Sequence, residues 1–345
     1  MVFEVVVYPL AAVASLLMTY LLLQYLRQQQ LFDQPNERSS HSVPVPRGGG
    51  ISFMTLYLAL LGWLLSADSV LVIDSVSVID IAVLISGGGV LGLVGLLDDR
   101  FNLSSKSRFF AQCFCCLIAV SVFYYDQLIV SSWELWLLLI GFALASVWWI
   151  NLFNFLDGID GYAVSEALFL CVAGAGFCWL NSAAEYTRLF LLLAATLIGF
   201  GVFNWAPAKL FMGDVGSYFL GFIIAMLALL TVREQLVSPL TWIMLTALFW
   251  IDASITLVRR VLRRDYWYQA HRSHAYQILS RRWRSHQRVS LLAIGINILW
   301  LFPLSFTAQW LIANSRYELA SALFIIACLP IGWGVFRLNA GVDNG

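Results

Sequence analysis

Apolar runs alternate with short polar connections along the whole chain. About eleven of these runs approach the roughly 20 residues that a helix needs to cross a hydrocarbon core of roughly 30 Å. They lie near 5–26, 48–67, 78–97, 107–124, 133–150, 162–181, 187–205, 215–232, 239–258, 289–308 and 318–337. The pattern predicts an all-α, polytopic integral membrane protein of about eleven transmembrane helices, with residues 1–345 as a single transmembrane domain. No soluble domain, internal repeat or low-complexity tract breaks the alternation. The first run, Val5 to about Leu26, is too long for a cleavable signal and lacks a basic lead-in.

Charge adds a direction to this pattern. Of the 20 lysines and arginines, only Arg188, Arg233 and Arg316 fall in even-to-odd connections. The rest, from Arg27, Arg38 and Arg47 to the dense Arg259–Arg288 stretch and Arg337, fall on the other side. By the positive-inside rule this predicts an external N-terminus and a cytoplasmic C-terminus. The isolated acids of the outer connections, Asp68, Asp74, Asp80, Asp126 and Glu185, read as solvated loop residues. With 61% hydrophobic and 12% charged residues, a soluble globular domain is excluded. The six cysteines sit in apolar runs without a C-x-x-C pair and read as small buried hydrophobes, not as a disulfide framework or a metal site.

Five polar clusters all fall in inward-facing connections. Asn151-x-x-Asn154-x-x-Asp157-Gly158-x-Asp160-Gly161 is the hardest to explain as packing, because buried carboxylates and amides are costly without partners or a cation. Asn151, Asn154 and Asp157 share a drifting helical stripe, which Gly158 can break before Asp160 caps the next helix. Asp98 and Asp99 point about 100° apart on a helix, so they read as two roles instead of one shared proton. Arg108, with Lys106 nearby, can meet an anion. Arg47 leads into Gly48–Gly50, a run able to form an anion-binding nest or a simple turn. Asp214 precedes a span as a cap or a metal ligand, with Phe211 beside it to pack or to stack on a base. The last inner loop is basic and aromatic, which between two spans indicates an interfacial segment against anionic lipid and not nucleic acid. Its His271 and His274 suit a phosphate. Asp252 reads as a structural intramembrane acid paired with a nearby arginine.

Oxygen ligands for a hard cation, several arginines and a glycine-rich loop at a lipid boundary form an inventory for phosphoryl transfer. The alternative is an ion-coupled transporter with a cytoplasmic-side carboxylate site, which would place ionisable groups near the midplane and on both faces.

Asp33-x-Pro35-Asn36, Pro46-Arg47-Gly48-Gly49-Gly50, Asp98-Asp99-Arg100, the Asn151–Gly161 ladder, Phe211-Met212-Gly213-Asp214-x-Gly216-Ser217 and His271-x-x-His274 run over nearly the whole chain. In this order they resemble the polyprenyl-phosphate N-acetylhexosamine-1-phosphate transferases, and most closely the branch that initiates O-antigen synthesis. The resemblance implies transfer of a sugar-1-phosphate from a UDP-N-acetylhexosamine (GlcNAc, FucNAc or QuiNAc type) to undecaprenyl phosphate, with release of UMP. It implies Asp98 and Asp99 as catalytic residues, with Asp98 assisting or deprotonating the lipid phosphate and Asp99 supporting the metal region, and Asp214 with Asn154 at Mg²⁺, Mn²⁺ being an alternative. It further implies Asn151, Asp157, Asp160, Phe211, Arg108, Lys106, Arg47, His271 and His274 as substrate contacts. A homodimer is allowed by the family. The interrupted His271-Arg272-Ser273-His274 departs from the contiguous histidine run of the muramoyl-pentapeptide branch and argues against a peptidoglycan-precursor substrate.

Overall fold

A computed structural model of the protein describes residues 2–33, 43–66, 76–126, 133–264 and 272–342. The helices, in order, are α1 (Val2–Gln28), α2 (Gly50–Ser66), α3 (Val78–Phe101), α4 (Ser105–Phe123), α5 (Trp133–Leu156), α6 (Tyr162–Leu180), α7 (Ala184–Asn204), α8 (Gly213–Arg233), α9 (Pro239–Leu245), α10 (Ala247–Leu262), α11 (Ala275–Trp283), α12 (His286–Ile296), α13 (Phe302–Ala313) and α14 (Tyr317–Arg337). One π-helical turn, Asn297–Leu301, joins α12 to α13, so His286–Ala313 runs as a single span. A short antiparallel ribbon pairs β1 (Phe32–Asp33) with β2 (Val45–Pro46).

The architecture is the all-α, polytopic one that the apolar pattern predicts. Among the described residues nine helices are long and apolar enough to cross a membrane, or ten if α9 and α10, bent by 75°, count as one. The second predicted run is the exception, because α2 has only 17 residues. Its first glycines are used elsewhere: the amides of Gly49 and Gly50 donate to the Phe211 and Met212 carbonyls, both at 2.8 Å. The helix therefore starts late, and the chain before it belongs to a loop. The amphipathic α11 was not among the predicted runs, since its nine residues are too few and too polar to register as a span.

The bundle is organised around α8, whose apolar window is 94% buried, whereas α1 and α14 each bury 22% of theirs and face the lipid. It packs most extensively against α3 and α5 and also meets α2. Glycines allow the closest of these approaches. A Cβ on Gly95 would lie 2.3 Å from the Asp214 carbonyl oxygen, so α3 lies directly on the first turn of α8. Asp98 and Asp99 follow Gly95 by about one turn, which brings both to the same helix start.

At the far end of these helices, Asp80 corrects the sequence reading. It is buried, not solvated, and its carboxylate takes two bonds from Arg233, Nη1 to Oδ1 at 2.8 Å and Nη2 to Oδ2 at 2.7 Å. It also closes a capping box with Ser77 at the start of α3. The ion pair ties the first turn of α3 to the last turn of α8. Asp126 is exposed as expected, whereas Asp68 and Asp74 lie outside the described residues. Asp252 is buried as an intramembrane acid, but its partners differ from the expected arginine. It accepts from the Ala275 and Tyr276 amides and from Thr256 Oγ1, and lies 3.6 Å from His274 Nδ1. Its carboxylate thereby caps α11 and anchors the last inner loop to α10.

Candidate active site

The predicted separation of Asp98 and Asp99 has a concrete form. Asp98 is buried and accepts from Arg108 Nη1 (2.9 Å), Tyr218 Oη (2.8 Å) and the Leu103 amide (2.9 Å). Asp99 turns instead toward α8, accepting from the Asp214 amide at Oδ1 (2.9 Å) and the Val215 amide at Oδ2 (3.1 Å). A helix start leaves its first amides without partners, so a carboxylate there both satisfies them and complements the helix dipole. Asp99 thus caps α8 from another helix and fixes the segment that carries Asp214.

Asp214 Oδ1 is the meeting point of three elements. It accepts from Asn154 Nδ2 of α5 at 2.8 Å and from Arg47 Nη2 of the first loop at 2.8 Å, while Arg47 Nε bonds Asp99 Oδ1 at 2.8 Å. The loop is held for this purpose by backbone bonding: Arg47 bridges Phe211 in parallel fashion, and the Phe211 amide donates to the Pro46 carbonyl at 2.9 Å. Gly48 has φ +103° and Gly213 φ +79°, left-handed values that favour glycine at both turns. Burial opposes the charge of Arg47, but Asp214 and then Asp99 outweigh it and raise its pKa further above the ordinary guanidinium range. At the end of α5, burial foremost pushes the Asp157 carboxyl well above its usual range; Arg47 opposes this, and the negative charges of Asp214, Asp99 and Asp160 add to it.

No group of three or more His, Cys, Asp or Glu side chains suited to a metal ion occurs among the described residues. With the Asp99 carboxylate engaged by the first amides of α8, the cluster leaves the Asp214 carboxylate and the amide of Asn154 as donors. That donor set fits Mg²⁺, which is commonly held by one or two carboxylates, with waters and substrate phosphates completing the octahedron. It does not fit an all-protein cage.

Asp160 corrects the expected cap. The residue before α6 is Gly161, at φ +74°, and no side chain caps that helix. Asp160 Oδ2 instead accepts from the Ala208 amide at 3.0 Å, and Oδ1 lies 3.2 Å from His286 Nδ1. Both residues line a cavity of about 610 Å³ with Phe211, Val45, Arg272, Arg281 and Arg284. Its walls join the first loop, the α7–α8 connection and the α11–α12 turn, and its mixture of arginines with one aromatic face suits an anionic ligand carrying a base.

Other sequence candidates lie outside this convergence. Asn151 donates to Gln112 Oε1 at 2.8 Å and fastens α5 to α4. Lys106 is exposed. His274 is buried behind the site, against Asp252, and His271 lies outside the described residues. Conversely, sequence reasoning passed over His286 and Tyr218 and gave no role within its motif to Ser217, whose hydroxyl lies 3.2 Å from Asn154 Nδ2. Tyr218 and Ser217 sit inside an apolar run, where nothing local separates them from helix packing. His286 is a single histidine at a span start, overshadowed by the His271/His274 pair. Replacing His286 by alanine is expected to raise the KM for an anionic donor about tenfold, the worth of one or two hydrogen bonds, with a smaller change in kcat. Steady-state kinetics checks this, and an unchanged KM would remove His286 from the cavity's function.

Residues 81–232 match the model of glycosyl transferase family 4, a segment that contains Asp98, Asp99, Asn154 and Asp214. The likeness to this family is carried by that segment, a little under half of the chain. Among curated proteins, the chain is similar to a probable undecaprenyl-phosphate N-acetylglucosaminyl 1-phosphate transferase of Bacillus subtilis, 27% identical over 323 residues that cover 90% of this chain and 85% of the relative. An undecaprenyl-phosphate alpha-N-acetylglucosaminyl 1-phosphate transferase of Yersinia pestis is 28% identical over 330 residues, covering 89% and 84%. A decaprenyl-phosphate N-acetylglucosaminephosphotransferase of Mycobacterium tuberculosis is 25% identical over 347 residues, covering 90% and 83%. The similarity to these relatives extends beyond the family segment, so it takes in most of the chain that builds the cluster and the cavity.

Proposed function

We propose that the protein transfers a sugar-1-phosphate from a UDP-N-acetylhexosamine to undecaprenyl phosphate on the cytoplasmic face of a bacterial inner membrane. In this reaction an oxygen of the lipid phosphate attacks the phosphorus bound to the sugar, the bond to the uridine-side phosphate breaks, and UMP leaves. The observation that carries the reading is the junction of Arg47, Asn154, Asp99 and Asp214 at one end of the bundle, near a cavity with arginines and Phe211. The relatives' activity supports it.

In this reading Phe211 and Asp160 hold the nucleotide, and Arg272, Arg281 and Arg284 face the donor's charge. Asp98 keeps Arg108 and Tyr218 in place for the lipid phosphate. Asp214 and Asn154 would hold Mg²⁺, which when bound neutralises the charge that develops on the diphosphate oxygens. Gathering donor and acceptor at fixed positions supplies the remaining advantage, since phosphoryl transfer depends chiefly on positioning and charge. Within the family, initiation of O-antigen or a related surface polysaccharide is the role we assign, with a GlcNAc, FucNAc or QuiNAc type donor.

The test is UMP release by purified protein given undecaprenyl phosphate, Mg²⁺ and a panel of UDP-N-acetylhexosamines. Release with one or more donors is expected. Donor binding without release across the panel would overturn the transferase reading and return the protein to the carrier class.

A further inference from the structure

The guanidinium of Arg47 stands where a cation between Asp99 and Asp214 would be needed. Its two bonds, Nε to Asp99 Oδ1 and Nη2 to Asp214 Oδ1, are both 2.8 Å. Without it, two carboxylates, one on each of two closely packed helices, would face each other with no positive charge in contact with either among the described residues. Meanwhile the backbone of the Arg47 segment is fixed by its bridge to Phe211, whereas the side chain is 38% exposed and is held at its tip by those two ion pairs. The same Asp214 oxygen is also bonded by Asn154. A divalent cation at Asp214 and a guanidinium on the same oxygen cannot coexist at contact distance without strong repulsion.

We propose that Arg47 is the resident counter-cation of the site and exchanges with the divalent metal. Before substrate arrives it neutralises Asp99 and Asp214. When the metal enters with the donor's diphosphate, Arg47 releases Asp214 and passes to a phosphate oxygen, while its backbone and its position beside Asp99 stay in place. This rests on the metal-dependent transferase reading and adds an order to it: the metal arrives as its nucleotide complex, because the free ion must compete with an intramolecular guanidinium whereas the diphosphate offers that guanidinium a new partner.

The experiment is Mn²⁺ binding to detergent-purified full-length protein, followed by electron paramagnetic resonance with and without UDP. Wild type is expected to bind Mn²⁺ weakly alone and at least about tenfold more tightly with UDP. Arg47→Gln is expected to bind Mn²⁺ about tenfold more tightly than wild type without UDP, and to lose most of the UDP enhancement. Arg47→Lys keeps the charge but not the two-armed fork, and is expected to fall between them. Should Arg47→Gln fail to fold, Arg47→Lys and the wild-type UDP enhancement still decide. Equal wild-type affinity with and without UDP, or no gain in either variant while Asp214→Asn loses Mn²⁺, overturns the exchange and leaves the metal assignment standing. Undiminished Mn²⁺ binding in Asp214→Asn overturns the metal assignment and the exchange together.

Discussion

Asp214→Asn is expected to lower turnover by on the order of 10³-fold and to leave the helical bundle folded. The size follows from loss of a charged metal ligand, which removes several kcal/mol of transition-state stabilisation, each ~1.4 kcal/mol being a factor of ten. Retention of the fold follows from a division of labour visible in the hydrogen bonds. The first amides of α8 are satisfied by Asp99, not by Asp214, so the amide at 214 leaves the cap untouched. Asp99→Asn should behave differently, costing about 0.5–2 kcal/mol in stability as a lost cap in addition to any loss of rate. UMP release per folded molecule, with thermal unfolding in the same detergent, separates the two. Near-normal turnover in Asp214→Asn would remove that residue from the chemistry, and equal destabilisation in both would show that the cap is shared.

The second large effect lies at the opposite end of the same helices. Asp80→Ala is expected to destabilise the protein by about 3 kcal/mol, the low end for breaking a buried ion pair, since Arg233 retains its bond to Glu234 Oε1 at 2.8 Å. The cost comes from leaving the guanidinium only partly compensated where Asp80 is 1% exposed. Pairing Asp80→Leu with Arg233→Met should recover most of the loss, because two apolar groups avoid the desolvation that one stranded charge incurs. Denaturant or thermal unfolding measures this. Turnover per folded molecule should remain near wild type, as the ion pair sits at the other pole of α3 and α8. A double replacement no more stable than Asp80→Ala would show that the cost is lost packing, not a stranded charge.

Asp80 also shows where reading the chain went astray and why. In sequence it is one acid at the edge of an apolar run, indistinguishable from Asp126, which is exposed. What separates them is Arg233, more than 150 residues away, and a pairing at that distance has no local signature. Asp252 is a similar case. Its burial was legible from the apolar residues around it, whereas its role as the cap of α11 required the chain to return from Arg272 onward. Asp98 and Asp99 show the opposite. Helix geometry alone separates their directions, and the structure adds only which neighbours wait in each direction.

Apolar length and the bias of arginines are properties that accumulate along a chain residue by residue. They were enough to give an all-α membrane bundle and to gather the polar motifs into one set of connections. Which oxygen meets which donor is a different kind of fact. It depends on α3 lying against the first turn of α8 at Gly95, on the first loop pairing with the Phe211 segment, and on α12 starting at His286 beside Asp160. Those contacts join residues far apart in the chain, and their geometry exists only once the helices have packed.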